Sequence, residues 1–427
     1  MLQISKITEN CENTILSLLK RNLDEKELRK SFELIIELNT SRKRNQQEND
    51  DLKSRLKEMS ETIGTLYKSG NIGEANKLKE DVNSIKTSIK TLDEEHKLIA
   101  GQINDLLIEI PNIPNDLVPQ GKGENDNLIV KNWEKPLPDL TGSGLPHWEL
   151  AKKYNLIDFE LGAFITGSGF PLFRGKGAKL VRALINYFLA EAEKAGYEEI
   201  MPPLLVNEDS AMATGQLPDK EGQMYYVEKD KLYLIPTAEI PLTNIYRERI
   251  LQENELPVRI SGHTPCFRRE AGSYGAHVKG LNRVHQFDKI EIVQITRPED
   301  SYDTLSDMVK HVENLLISLE LPYRIVCLCG GDLGFTSALT YDFEVYSAGQ
   351  DRWLEVSSVS NFEAFQANRL KLRYKTKDGK TSFAHTLNGS ALALARIVAA
   401  ILENNQTPEG ITIPKVLNDY LNFQIIN

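Results

Sequence analysis

The 427-residue chain is poor in cysteine, lacks net positive charge and contains no long apolar run, and each lack removes a class of protein. Its four cysteines, Cys11, Cys266, Cys327 and Cys329, are too few for a disulfide framework, and one CxC pair without a matching second pair is a weak metal signal. A reducing compartment and no structural zinc are expected. No stretch approaches the roughly 18 apolar residues of a membrane span. The start, MLQISKITENCENTILSLLK, lacks the basic segment and unbroken apolar run of a secretion signal. The expected location is cytoplasmic, with no membrane partner. A formal net charge of −10 excludes a global basic field, so any RNA contact must come from a local patch. With 41% hydrophobic and 26% charged residues the chain is of ordinary soluble composition, long enough for two or three domains.

A helical pattern starts near Asp24. Ile35 and Leu38, then Leu52, Leu56, Met59, Ile63 and Leu66, fit alternating steps of three and four, but the same register between them falls on Arg42, Asn45 and Asn49. KSGNIGEA, 68–75, reads as a turn broken by Gly70 and Gly73. The return helix carries Leu78, Val82, Ile85, Ile89, Leu92, His96, Ile99, Ile103 and Leu106, and only His96 interrupts its seam. Two such helices make an antiparallel hairpin, an arm on the order of 60 Å long. So thin a seam buries little, which suits reach rather than core. Residues 42–90 hold 11 Lys and Arg against 8 Asp and Glu, a mildly positive arm on a negative chain. These charges either solubilise a coiled coil or, at Arg55, Lys57, Lys77, Lys79, Lys86 and Lys90, contact the phosphates of an RNA read by shape.

Residues 111–146 are dense in Pro, Gly and Asn and read as a linker between an N-terminal helical domain, 1–110 with its arm at about 24–108, and a globular domain, 147–427. In the latter, GAKLVRALINYFLAEAEKA (177–195) is an amphipathic helix, followed by a strand, EEIMPPLLV, whose Pro203 suggests an edge or bulge. In LYLIPTAEIPLTNIYRE, Thr237 and Glu239 face one way if the segment is extended; a hydroxyl and an acceptor-only carboxylate suit an ammonium.

The globular part is organised around TPCFRREAGSYGAHVKGLNRVHQFDKIE, 264–291: a strand, a basic Gly-rich loop and a second strand. Arg268 and Glu270 project from one face of the first strand, and His285, Phe287 and Glu291 from one face of the second. The loop carries Arg269, His277, Lys279 and Arg283, with Gly272, Gly275 and Gly280 for close backbone approach. Arg for phosphate and Phe for stacking suit a polyanion with a flat base. Downstream, Asp342, Glu344, Glu355, Ser357 and Ser358 lie on strands; buried oxygens of this kind call for a cation, and Mg2+ bridging a triphosphate fits. Finally, HTLNGSALALARIVAAILENNQ is expected as a strand ending at Asn388-Gly389-Ser390 and then an apolar helix, with Ala391 and Leu392 on its apolar side. Arg396 inside that helix needs an anionic partner, for which a ligand phosphate is a candidate.

Taken together these stretches resemble the class II aminoacyl-tRNA synthetases, and FRREAGSYG with RVHQFDKIE resembles the seryl-tRNA synthetase version of motif 2. The helix–Gly–strand–Pro stretch is similar to motif 1, IPTAE-PLTN to the loop that holds the amino acid, and G-x-x-x-x-x-x-R ending at Arg396 to motif 3. The likeness covers the whole chain. It implies an α+β fold, an antiparallel sheet flanked by helices with an N-terminal antiparallel coiled-coil arm. It also implies a homodimer built on motif 1, and a two-step reaction. Serine carboxylate attacks the α-phosphate of ATP, and the seryl group then passes to the 3' end of tRNA(Ser), and by the same likeness tRNA(Sec).

The resemblance assigns Arg268 to the α-phosphate, Arg396 to the outer phosphates, Phe287 to adenine stacking and the Val284 backbone to the adenine edge. Glu270 holds substrate amino groups; Arg269, Glu355, Val356, Ser357 and Ser358 complete the ATP site, with Glu355 and Ser358 as Mg2+ ligands. Thr237, Ala238, Glu239, Arg268, Glu291, Asn388 and Ser390 are assigned to serine. Two other classes stay open: a ligase of the same fold that charges a carrier protein, against which the arm argues, and a catalytically silent coiled-coil protein, against which the intact Arg268, Glu270, Glu291 and Arg396 argue.

Overall fold

The computed structural model describes residues 1–140, 144–271 and 278–427. Gly272, Gly275 and His277 of the central loop lie outside the described residues. The chain divides into two compact units, Met1–Leu19 with Leu23–Pro111, and Lys20–Asn22 with Asn112–Asn427.

In the first unit, short helices Ile4–Glu9 and Cys11–Leu18 precede α1 (Glu25–Lys68) and α2 (Ile72–Ile108), which lie alongside each other. Asp24 caps α1, its carboxylate accepting the Glu27 N–H at 2.9 Å. Only Ser69, Gly70 and Asn71 separate the helices, Gly70 taking the left-handed φ of +83° that the turn requires. Gly73 belongs to the first turn of α2 rather than to the break. The seam is apolar at one end, where Leu28, Phe32, Ile35, Ile103 and Leu107 are buried, and again at Ala75, Val82 and Ile85 near the turn. Between them the buried side chains of α1 are asparagines. Asn45 donates to Glu95 at 3.2 Å and Asn49 to Asp93 at 2.6 Å, while the Oδ1 atoms of both asparagines are buried without a partner among the described residues. The seam passes through Asn39, with Leu38 only partly covered.

The second unit contributes β1 (Leu128–Asn132), α3 (His147–Lys153), α4 (Gly175–Lys194), β2 (Glu198–Glu199), α5 (Glu239–Asn244), β3 (Val258–Phe267), β4 (Gln286–Thr296), α6 (Ser301–Ser318), β5 (Tyr323–Cys327), β6 (Leu339–Ser347), β7 (Arg352–Glu363), β8 (His385–Ala393) and α7 (Leu394–Asn404). Among the described residues the main sheet has eight strands in the order β1-β5-β6-β7-β8-β4-β3-β2, antiparallel except where β2 meets β3. The α+β architecture and the antiparallel sheet therefore stand as expected. Leu180, Leu184 and Phe188 of α4, Met308 and Val312 of α6, and Ile397, Val398 and Ile401 of α7 are fully buried and share one core with Ile290, Ile292, Phe343 and Val359 of the sheet.

Several boundaries differ from expectation. Within the proline-rich passage expected as a linker, Leu128–Asn132 is an edge strand of the sheet. The strand expected over 198–206 shortens to Glu198–Glu199 and Leu205–Val206, because the two prolines between them lack the N–H a ladder needs. Strand β8 runs on to Ala393, so Ala391 and Leu392 are strand residues and not part of the helix. The first central strand ends at Phe267, ahead of Arg268.

Candidate active site

The candidate site is built on the β3–β4 hairpin and its neighbour β8. Cross-strand partners face the same side of an antiparallel pair, so Cys266 with Phe287, Thr264 with Lys289 and Gly262 with Glu291 line one face, and Ser390 stands opposite Glu291 on the other flank. Lys289 and Glu291 form a buried ion pair at 2.5 Å. The Lys289 ammonium also donates to Thr237 Oγ1 at 2.8 Å, Thr237 donates to Glu291 Oε2 at 3.1 Å, and the Glu239 backbone N–H donates to the same Thr237 oxygen at 3.2 Å.

Glu239 opens α5, so Thr237-Ala238-Glu239 is a loop entering a helix and not an extended pair; the turn still brings Thr237 and Glu239 together. Glu239 accepts from Gln366 at 2.7 Å, and Gln366 is itself fixed by the Thr386 hydroxyl at 2.8 Å. Burial, and then the nearby Glu291 carboxylate, push the Glu239 carboxyl up to about 7. The result is a buried wall with two carboxyl groups and one resident ammonium. Asn388 and Ser390 are also buried on this wall, and the Ser357 hydroxyl donates to the Ser390 carbonyl at 2.5 Å.

Beside this wall lies the segment Asn282–Phe287, on which two arginines from distant parts of the chain are anchored. Arg268 donates its backbone N–H to the His285 carbonyl at 2.9 Å, and its guanidinium sits over the Phe287 ring, 5.3 Å from the centroid. Arg396 donates Nε–H to the Asn282 carbonyl at 3.0 Å and Nη1–H to the Glu355 carbonyl at 2.6 Å. Arg396 is not sealed in: its side chain is 27% exposed, and it has a carboxylate neighbour in Glu355 at 3.7 Å, brought from 41 residues away. Glu270 adopts a left-handed φ of +48° just beyond β3 and accepts from Arg283 at 3.1 Å, while Arg269 is exposed. Val284 is buried, and His285 stacks on Phe170 with ring centroids 5.2 Å apart.

Asp342 faces Ser358 and Glu344 faces Glu355 across β6 and β7. Glu355 is exposed and Val356 and Ser357 are buried, so the strand turns its carboxylate outward on the side of Arg396. Burial, then Glu355, raises the Asp342 carboxyl well above the usual carboxylate range, and its Oδ1 is buried without a partner among the described residues. Among the described residues no three His, Cys, Asp and Glu side chains gather to hold a metal by themselves.

A family model described as the seryl-tRNA synthetase N-terminal domain matches residues 1–114, and one for the tRNA synthetase class II core domain (G, H, P, S and T) matches 225–405. The serine–tRNA ligase of Salinibacter ruber is 48% identical over 391 residues, 91% of either chain. The chain belongs to the seryl-tRNA synthetase family. The serine–tRNA ligase of a Hydrogenobaculum species is 44% identical over the full length of both chains. The seryl-tRNA synthetase of Pyrococcus horikoshii, solved complexed with ATP, superposes with a TM-score of 0.90 at 34% identity, covering 100% of this chain and 99% of that one.

Within this synthetase, Thr237, Glu239, Glu291, Asn388 and Ser390 come together, while Arg268, Phe287, Val284 and Arg396 gather on the adjoining segment. Arg55, Lys57, Lys77, Lys79, Lys86 and Lys90 are all exposed on the arm. Sequence reasoning missed Lys289 and Gln366. Lys289 sits two residues before Glu291 and so shares its face, a signal that was available; Gln366 carries none, since its partner Glu239 is 127 residues away. Gly280 keeps its close approach, but to the protein itself: a Cβ there would fall 2.2 Å from His147 Nε2, at a φ of +69°.

Proposed function

We propose that this chain, a serine–tRNA ligase by its family, activates L-serine with ATP at the β3–β4–β8 pocket and passes the seryl group to tRNA(Ser) held by the arm. The observation that carries the reading is the meeting, on one hairpin, of a buried acidic wall with two arginines and an aromatic ring. An α-amino acid brings an ammonium, for which Glu239 and Glu291 supply charge. Its carboxylate then lies toward Arg268, where the α-phosphate of ATP would gain negative charge as the new bond forms and the bond to the departing pyrophosphate breaks, leaving seryl-adenylate; the later transfer to the tRNA 3' end releases AMP. Arg268 stabilises that charge, Phe287 offers a face to adenine with the Val284 backbone at its edge, and Arg396 takes the outer phosphates. No protein nucleophile is required. Serine exceeds alanine by one hydroxyl, and a site built to bond that hydroxyl rejects alanine because its own polar groups are left unpaired. Ser390 and Asn388 stand where such bonds can form.

The Mg2+ reading rests on donor chemistry. Glu355 and Ser358 offer oxygens beside an Asp342 oxygen that has no partner among the described residues, and magnesium is usually held by one or two carboxylates plus substrate phosphates. Bound there, the ion would neutralise phosphate charge; Glu355 and Ser358 would hold it.

The homodimer reading is supported by apolar side chains left in the open: Met201 in the motif 1 stretch is 90% exposed, and Phe164 and Ile165, earlier in the sequence, are 87% and 63% exposed. No helix among the described residues is long and apolar enough to cross a membrane; the cytoplasmic reading follows from the proposed tRNA-charging reaction.

ATP–pyrophosphate exchange with a panel of amino acids tests the central reading. Serine-dependent exchange is expected, with alanine and threonine far weaker; exchange with another amino acid, or none, overturns it.

A further inference from the structure

We propose that His147 and Glu403, two buried residues outside the substrate pocket, are positioning residues that set the orientation of Arg396. The inference rests on the reading of Arg396 as an ATP ligand.

Glu403 lies seven residues beyond Arg396 on α7, two turns along the same side. It is fully buried, and an isolated carboxylate there would be costly. It is instead saturated with donors. Oε1 accepts the His147 backbone N–H at 2.9 Å, the His147 ring Nδ1–H at 2.7 Å and Gln350 Nε2 at 3.0 Å. Oε2 accepts the Gly349 N–H at 3.1 Å and the Ser347 hydroxyl. Burial would raise the carboxyl, but these donors outweigh it and hold the group below its ordinary value.

Two routes lead from this post to the loop on which Arg396 rests. The first is the imidazole. Leu281 donates its backbone N–H to His147 Nε2 at 2.8 Å, which makes Nε2 an acceptor and leaves the ring proton on Nδ1, facing Glu403. The second is an amide exchange, in which Asn282 Nδ2 donates to Gln350 Oε1 at 2.8 Å while Gln350 Nε2 donates to Glu403. The routes end on consecutive residues, Leu281 and Asn282, and the Asn282 carbonyl receives Arg396 Nε–H. Gly280 makes room for the ring. Helix α7 is thus tied to the loop at two levels, by Arg396 directly and by Glu403 through His147. The guanidinium is held in one orientation before nucleotide arrives, so less ordering is left to the binding step.

The test uses three variants of the full chain, with both KM values and kcat measured in pyrophosphate exchange and Tm measured alongside. In His147→Gln the terminal amide reaches the Nε2 position and can still accept from Leu281. In His147→Asn the shorter amide reaches only the Nδ1 position and keeps Glu403 alone. His147→Phe keeps neither. The Asn and Phe variants are expected to raise the ATP KM by about tenfold or more, with the Gln variant near the parent and the serine KM unchanged in all three. Equal ATP KM values for the Asn and Gln variants overturn the proposal, as does a parallel rise in both KM values or a change in Tm alone. If the Phe variant does not fold, the Asn and Gln pair decides. Arg396→Ala is run beside them. If it leaves the ATP KM unchanged, the nucleotide reading itself falls. If it raises the ATP KM while Asn and Gln behave alike, only the positioning role falls.

Discussion

Lys289 and Glu291 sit two residues apart on one strand, pair at 2.5 Å and are 8% and 2% exposed, so the ammonium of one is the internal counter-charge of the other. Removing one partner of a buried pair strands the other. Lys289→Met is expected to cost about 3–5 kcal/mol of stability, read by urea unfolding. Because it leaves Glu239 and Glu291 facing each other without a cation, serine and other ammonium ligands should then restore more stability than they add to the parent.

The Glu239 carboxyl gives a pH dependence with a definite sign. Burial, then Glu291, raises it from 4.5 in the unfolded chain to about 7. Its contribution to stability is complete below pH 4.5 and is lost as pH rises through 7, on the order of 3 kcal/mol in all. Glu239→Gln should remove that falling slope, measured as unfolding free energy between pH 5 and 8 relative to the parent. An ammonium ligand favours the ionised form, so the serine KM of the parent should rise as pH falls below about 7. A serine KM flat across this range would count against contact between Glu239 and the ammonium.

The tRNA-holding role proposed for the arm is separable from serine activation. Replacing residues 42–90 by a short turn is expected to leave serine-dependent pyrophosphate exchange intact and to abolish charging of tRNA. Loss of both activities would contradict an RNA-reading role for Arg55, Lys57, Lys77, Lys79, Lys86 and Lys90.

Within the arm, Asn45 and Asn49 each bury a carbonyl oxygen without a partner among the described residues. Replacing both by leucine should stabilise the hairpin by about 1 kcal/mol or more per site, seen as slower amide exchange in α1 and α2. Unchanged exchange would mean that water meets those oxygens.

Gly280→Ala should be harmful out of proportion to its size. It combines a left-handed backbone, costing about 1–2 kcal/mol, with a methyl group 2.2 Å from His147 Nε2. Weakened ATP binding at unchanged serine KM is the expected outcome, read in the same exchange assay.

How much of this was legible beforehand depended on sequence distance. The arm, the two central strands and the amphipathic α4 were readable, since their patterns are local and periodic. Arg268 and Glu270 were expected on the strand but lie past its end, because Glu270 takes a left-handed conformation that period-two reasoning does not anticipate. Thr237 and Glu239 were expected to meet through an extended backbone and meet through a helix start instead. The Glu355 neighbour of Arg396, the Gln366 brace on Glu239 and the Glu403 brace on His147 come from 41, 127 and 256 residues away, separations at which no spacing rule operates.

Thr237 carries a last implication. A hydroxyl has three places for hydrogen bonds, two lone pairs and a proton. In Thr237 the lone pairs are taken by Lys289 and the Glu239 amide, and the proton by Glu291. Its side chain therefore works as a keystone that ties Lys289, Glu291 and the start of α5 to one oxygen. Swapping Thr237 would therefore loosen two carboxyl-bearing segments and their one ammonium at a stroke, a far wider effect than the loss of one hydroxyl suggests.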